Sequence, residues 1–508
     1  MTAERFHPLA QQATSATGSD CSGRDGSAGE CWRAGADLIA WAWLGVFALG
    51  VAGAMAILLA LSRVPGLESL LPWPVGFFRK GLILHVVLSI VVWFTAVFAA
   101  LSAVREADAV PPPPWQPLGS LAAAVLALSL PCLILPAFRD RGEPFLNNYV
   151  PVIDDPLFFA GLLLLAVATL AVTGRVLMQA LASPSPAASE QRLVNAAAVI
   201  LFIALTCFAL AGWQVAGTPR GYWFYENLMW GGGHVLQFAN TALMLVGWSA
   251  VVQALSGRPA PGRRLTTIIA LLLICAVVPT PAFYAFFPAF SGPQADAFSQ
   301  LKYFAGAPAV LALVACLVTV PRPWAWRSPL FHLFALSVLL FCVGGVFGIF
   351  VDGADTRTPA HYHGMIAGVS LAAMGLFFVR FLPALRCPSP SSRAVCWTAH
   401  LFGWGQLLAC IGLFIAGGYG APRKVAGEAQ GLVDLGAILG LGLNGLGGLV
   451  AVAGGIVFVI AAGRALLAAP APEARSGTSL PPRRPLKEIG SPKENNSQLH
   501  LLKDWKPR

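Results

Sequence analysis

Two histidines separated by one residue, His361 and His363, stand near the start of the apolar segment Ala360-His-Tyr-His-Gly-Met-Ile-Ala-Gly-Val-Ser-Leu. In a helix, positions two apart diverge by roughly 200°, so the pair cannot easily grip one metal. Each imidazole could instead serve a different centre, and one helix would then stand between two haems and give an axial nitrogen to each. His85 and His234 lie inside other apolar stretches. An unpaired imidazole is expensive to bury in hydrocarbon, so all four are candidate ligands. For His85 or His234 taken singly, a core histidine satisfied by a carbonyl or hydroxyl is the simpler account.

The elements that must position them follow from composition. At 508 residues, 57% hydrophobic and only 11% charged, the chain is too apolar for a water-soluble globule and reads as an integral membrane protein with the lipid bilayer as its solvent. Twelve stretches, near 37–62, 80–104, 116–137, 157–182, 192–216, 222–255, 265–290, 301–320, 329–351, 359–384, 395–418 and 435–468, are long enough to cross as helices. The expected fold is an all-α bundle of about twelve spans. Pro279 and Pro281 interrupt the seventh, and the twelfth is rich in glycine.

Residues 1–36 and 469–508 are polar, without apolar periodicity, and are expected to be disordered tails flanking one membrane domain at 37–468. The first tail is too long ahead of its apolar run to read as a cleavable signal. With twelve spans both termini share a side. Arg258, Arg263 and Arg264 follow the sixth span, and Arg475, Arg483, Arg484 and Lys487 the twelfth, which places that side in the cytoplasm. A net charge of +10 concentrated in such flanks suits anionic headgroups and requires no nucleic acid.

This orientation tests the histidines. The second, sixth and tenth spans run from the outer face inward, with His85, His361 and His363 near their starts and His234 about 18 Å along its helix. Four imidazoles in or near the outer half of the membrane are what two haems require. His332 and His400 fall at the inner ends of the ninth and eleventh spans, where hydrogen bonding to water is expected; His7 and His500 are solvated in the tails. The ten cysteines include no Cys-x-x-Cys pair and no Cys-x-x-Cys-His site for covalent haem, and read as small buried apolar residues. Cys21 and Cys31 lie in the tail expected in the cytoplasm, where a disulfide is not expected.

These residues resemble subunit I of the haem-copper oxidase superfamily, over about Asp37 to Leu467. Asp355-Thr-Arg-Thr-Pro-Ala-His361-Tyr-His363 is similar to the family's tenth-span motif, which implies His361 as the high-spin haem ligand and His363 as a low-spin one. His85 matches the other low-spin axial ligand, and His234, in Trp230-Gly-Gly-Gly-His234, the sixth-span copper histidine. Gly420-Ala-Pro-Arg423-Lys424 resembles the segment whose two cations hold haem propionates, a role that suits the guanidinium fork of Arg423; an ordinary interfacial pair is the alternative.

The sequence also departs from that pattern. Val277-Val-Pro-Thr-Pro-Ala-Phe-Tyr284 stands where oxygen-reducing members carry a His-His pair for copper, and Gln237 and Phe238 stand where a glutamate and a tyrosine are common. A lone imidazole is a poor copper site. Tyr284 could replace the missing tyrosine, as in the C-type branch, or anchor its helix by the hydroxyl. Asn147-Asn148-Tyr149 with Asp154-Asp155 could bind a cation, guide water or be a solvated loop. The resemblance implies a respiratory oxidoreductase subunit with two haems, taken as b-type, in a bacterial inner membrane. A separate donor, cytochrome c or quinol, and companion membrane subunits would complete it. The alternative is a non-catalytic dihaem protein for electron transfer, sensing or assembly that has lost the copper site. A nitric-oxide-reductase-like enzyme fits less well, because its iron centre also needs the span-7 histidines and added glutamates.

Overall fold

A computed structural model describes residues 25–62, 75–106, 114–139, 141–182, 188–322, 325–351, 353–425 and 430–470. Among them, twelve helices are long and apolar enough to cross a membrane. They are span 1 (Asp37–Leu61), span 2 (Phe78–Arg105), span 3 (Gln116–Phe138), span 4 (Pro156–Ala182), span 5 (Ser189–Gln214) and span 6 (Tyr222–Ser256), followed by span 7 (Arg263–Phe286), span 8 (Gly292–Thr319), span 9 (Pro329–Phe350), span 10 (Arg357–Ala384), span 11 (Ser392–Gly418) and span 12 (Leu435–Leu467). The all-α bundle expected from hydropathy is the fold.

Three boundaries differ from the sequence reading, each for a local reason. The helix containing span 1 begins at Asp25, inside the stretch expected to be a tail, while 1–24 and 471–508 lie outside the described residues. Span 8 starts at Gly292 rather than near 301, because Ser291 accepts from the Gln294 amide and caps a polar first helix that hydropathy overlooks. In span 7 the α-helix ends at Val277, a 3₁₀ turn at Thr280–Ala282 carries Pro281, and one more turn runs Phe283–Phe286. Between spans 3 and 4 lies a hairpin of β1 (Glu143–Phe145) and β2 (Val152–Asp154), paired antiparallel.

Lipid is as apolar as the helix faces, so close packing and polar contacts bind the spans to one another. The glycines of span 12 are its packing surface: an added Cβ at Gly440, Gly447 or Gly454 would come within 2.6 Å of span 11 backbone. Their seven-residue spacing keeps one face on that neighbour. Spans 2 and 10 join through Trp93 stacked on Phe377 at 5.5 Å, with Phe458 of span 12 edge-on to both.

Asp37 and Arg175 form an ion pair of 2.5 Å between spans 1 and 4, at 1% and 0% exposure. Gly119 of span 3 makes the room, since a Cβ there would lie 1.8 Å from Arg175 Nη1. Breaking such a pair leaves a buried charge uncompensated. Arg175→Ala should therefore destabilise the bundle by about 3–5 kcal/mol. Thermal unfolding in detergent measures it, and the double change Asp37→Leu with Arg175→Met should recover most of the loss.

Candidate functional site

His361 sits in the first turns of the α-helix Arg357–Leu376, and its Nδ1 donates to the Gly344 carbonyl of span 9 at 2.7 Å. The ring rests in a cradle that only glycine leaves open: a Cβ at Gly348 would come within 2.7 Å of it. His363, two positions on, is stacked beside Tyr362 at 5.2 Å. His85 of span 2 donates from Nδ1 to the Ala52 carbonyl of span 1 at 3.0 Å. Just after it the helix widens to a π-helical stretch at Val87–Val92, a feature that recurs at functional positions. His234 of span 6 donates from Nδ1 to the Trp230 carbonyl one turn earlier, at 2.9 Å.

A carbonyl only accepts, so each of these three bonds puts the ring proton on Nδ1 and the lone pair on Nε2. That is the arrangement by which proteins orient an imidazole toward a metal. His234 and His361 also stand at similar heights. Spans 6 and 10 touch at Gly247, whose added Cβ would be 2.7 Å from the Ala372 carbonyl. His234 precedes that contact by about 20 Å along its helix and His361 by about 17 Å, at about 1.5 Å per residue.

Around His234 the neighbours are aromatic rather than ligating. The rings of Tyr149, Trp230 and Phe298 have centroids 4.5, 4.7 and 6.4 Å away. Tyr149 comes from the β1–β2 loop with φ +64°, and its ring occupies the space that a Cβ on Gly233 would need. Tyr284 Oη is buried, makes no hydrogen bond among the described residues and would be 2.2 Å from a Cβ on Gly231, one turn before His234. The span-7 break thus brings Tyr284 to the same region. Thr280, in place of a ligand, bonds its hydroxyl to the Val277 carbonyl at 2.7 Å. Among the described residues, no group of three histidine, cysteine or carboxylate ligands contains His234.

Beyond the histidines, at the same ends of the spans, three segments meet. Arg423 Nη1 donates to Asn148 Oδ1 at 3.2 Å, and Lys424 donates to the Leu146 carbonyl and to Asn148 Oδ1. Asn148 in turn donates from its backbone, at 2.8 Å, and from its side chain to Glu226 of span 6. Burial, then the neighbouring Arg423 charge, lowers Lys424 to about 8, against an opposing pull from Glu226. Burial also pushes the Tyr149 phenol up, and Glu226 adds to the shift. The loop carrying the two cations is tied to the tenth-span motif by a bridge from Asp355 to Pro422 and by the Thr356 amide to the Ala421 carbonyl at 3.1 Å. Asp355 itself holds Arg357 through Nε at 2.8 Å and Nη2 at 2.6 Å.

The family model for cytochrome c and quinol oxidase polypeptide I matches residues 38–439. The chain belongs to that family. A heme-copper terminal oxidase dimer has the same fold, at a TM-score of 0.66 and 14% identity over 88% of this chain and 84% of that one. Relatives include an uncharacterized protein of Rickettsia prowazekii (strain Madrid E), 24% identical over 84% of this chain and 95% of that protein. Another, from Aquifex aeolicus (strain VF5), is 27% identical over 66% of this chain and 83% of its own. Both are described only as uncharacterized, so they add no activity.

Within this polypeptide I scaffold, the sequence reading missed Glu226 and the capping role of Tyr149. A carboxylate inside an otherwise apolar span was a readable signal for the first; the second depends on how a distant hairpin folds back. His332 and His400 are partly exposed, and their rings also bond each other at 2.9 Å, a contact the sequence reading did not foresee. Asp154 and Asp155 serve structural bonds, to the Tyr225 hydroxyl at 2.7 Å and the Leu157 amide at 2.8 Å, and neither enters a metal-ligating group among the described residues.

Proposed function

We propose that this chain is the haem-bearing membrane subunit of a respiratory-type oxidoreductase in which copper-dependent reduction of oxygen has been lost. His85 and His363 would hold a low-spin haem and His361 a second one, while Arg423 and Lys424 would bind haem propionates. Haem supplies the one-electron chemistry when bound. The protein's part is to orient: Ala52 and Gly344 fix the tautomer of His85 and His361, and the cations above them suit carboxylates. That shared pattern, Nδ1 donating to a backbone carbonyl so that Nε2 keeps the lone pair, is the observation that carries the reading.

The residues fit haem but not copper. His234 has one imidazole to offer, and Tyr284 could add only a phenol, whereas Cu(I) favours nitrogen and sulfur donors. The donor would be a separate cytochrome c or quinol, with companion subunits in a bacterial inner membrane and both termini cytoplasmic. Elemental analysis of the purified protein should give copper well below one per chain, with little or no oxygen consumption. About one copper per chain, lost in His234→Ala together with oxygen consumption, would restore the ordinary oxidase reading.

A further inference from the structure

A second set of ligands lies at the opposite ends of the spans from the haem histidines. His332 stands in the first turn of span 9 and His400 near the start of span 11, with Cys396 one turn before His400. Their ligand atoms all lie within 4.8 Å of one another, and this is the one such group of three among the described residues. Each side chain is partly buried, so an ion from water can reach the cluster. The helix of span 11 is π-wound over Thr398–Phe402, which re-aims His400 toward span 9; such windings often mark functional positions.

The hydrogen bonds assign every ring proton. His332 Nε2 donates to the Trp326 carbonyl at 2.7 Å, so its Nδ1 carries a lone pair. That lone pair accepts from His400 Nε2 at 2.9 Å, and His400 Nδ1 accepts from the Trp404 indole at 3.1 Å. His332 is therefore oriented as a metal-ligating histidine usually is, with its distal nitrogen locked on a carbonyl. Two nitrogens and one thiolate are donors for a borderline-soft cation.

We propose that His332 Nδ1, His400 Nε2 and Cys396 Sγ form a Zn²⁺ site, with water completing a tetrahedron. Binding requires the Cys396 thiol to release its proton to solvent and the His400 ring proton to move from Nε2 to Nδ1. The two nitrogens separate from 2.9 Å to about 3.3 Å, the spacing set by two Zn–N bonds of about 2.05 Å. Trp404, which is 49% exposed, swings away because its indole can no longer donate to a protonated Nδ1. The site is independent of the haem reading, uses none of its residues, and would tie span 9 to span 11 on the membrane face that the termini share.

The test is Zn²⁺ binding to the full-length protein in detergent, by competition with a fluorescent chelator. One Zn²⁺ per chain is expected, and His400→Ala and Cys396→Ser should each weaken binding by roughly 100-fold or more, since even second-shell partners are worth 10–100-fold. Trp404→Phe should bind at least as tightly as the parent, because the lost indole opposes the bound tautomer; a purely structural hydrogen-bond chain would gain nothing from that change. Zinc-edge X-ray absorption of the parent should show one sulfur at about 2.3 Å beside nitrogen or oxygen at about 2.0 Å. It reports on the parent whether or not the variants fold. No retained Zn²⁺ in the parent, a shell without sulfur, or parent-like binding in both ligand variants would each overturn the proposal.

Discussion

Replacing His363 with Ala should remove the sharp reduced-minus-oxidised band of a six-coordinate haem entirely, and His85→Ala should do the same. The effect is all-or-none because bis-imidazole ligation needs both partners; one remaining axial nitrogen leaves a five-coordinate or weakly capped iron. The Ala52 carbonyl holds the His85 proton on Nδ1, so no tautomer change is needed before Nε2 coordinates. Difference spectra of membranes containing each variant measure the result. A normal band in His85→Ala would take His85 out of the site and leave another residue to be found opposite His363.

His361→Ala should eliminate carbon monoxide binding while leaving most of the low-spin spectrum in place. His361 is turned against span 9 through the Gly344 carbonyl, and helical geometry points His363 roughly 200° from it, so on the proposed reading the two rings would serve separate centres. An open-sided haem is the one that takes up carbon monoxide, so its loss reports on His361 alone. Filling the cradle should act in the same direction: Gly348→Val would push atoms into space 2.7 Å from the His361 ring. If both spectral signals vanish together in a His361→Ala protein that keeps its fold, the two histidines share one centre and the two-haem assignment fails.

Hydropathy alone was enough for the twelve spans, because an unbroken apolar run of about 20 residues has few other stable outcomes than a membrane helix. The His-x-His pair was legible for a related reason: helical periodicity fixes the divergence of two side chains whatever surrounds them. Glycine in span 12 read as a weakness in one dimension. In three it is the contact surface with span 11, since close backbone approach replaces the hydrophobic effect where lipid is as apolar as protein.

By itself the sequence determined the membrane fold, which imidazoles stand inside apolar spans, and that span 7 lacks a histidine pair. Tertiary structure decided which nitrogen of His85 and of His361 carries the proton, because the Ala52 and Gly344 carbonyls belong to other helices. It also decided that Asn148 links Glu226 to Arg423 and Lys424, and that Tyr149 covers His234. His332 and His400, 68 positions apart, became partners for the same reason. Local periodicity sets the direction of a side chain within its own helix, but the neighbour it meets depends on helix-to-helix packing, which no single span encodes.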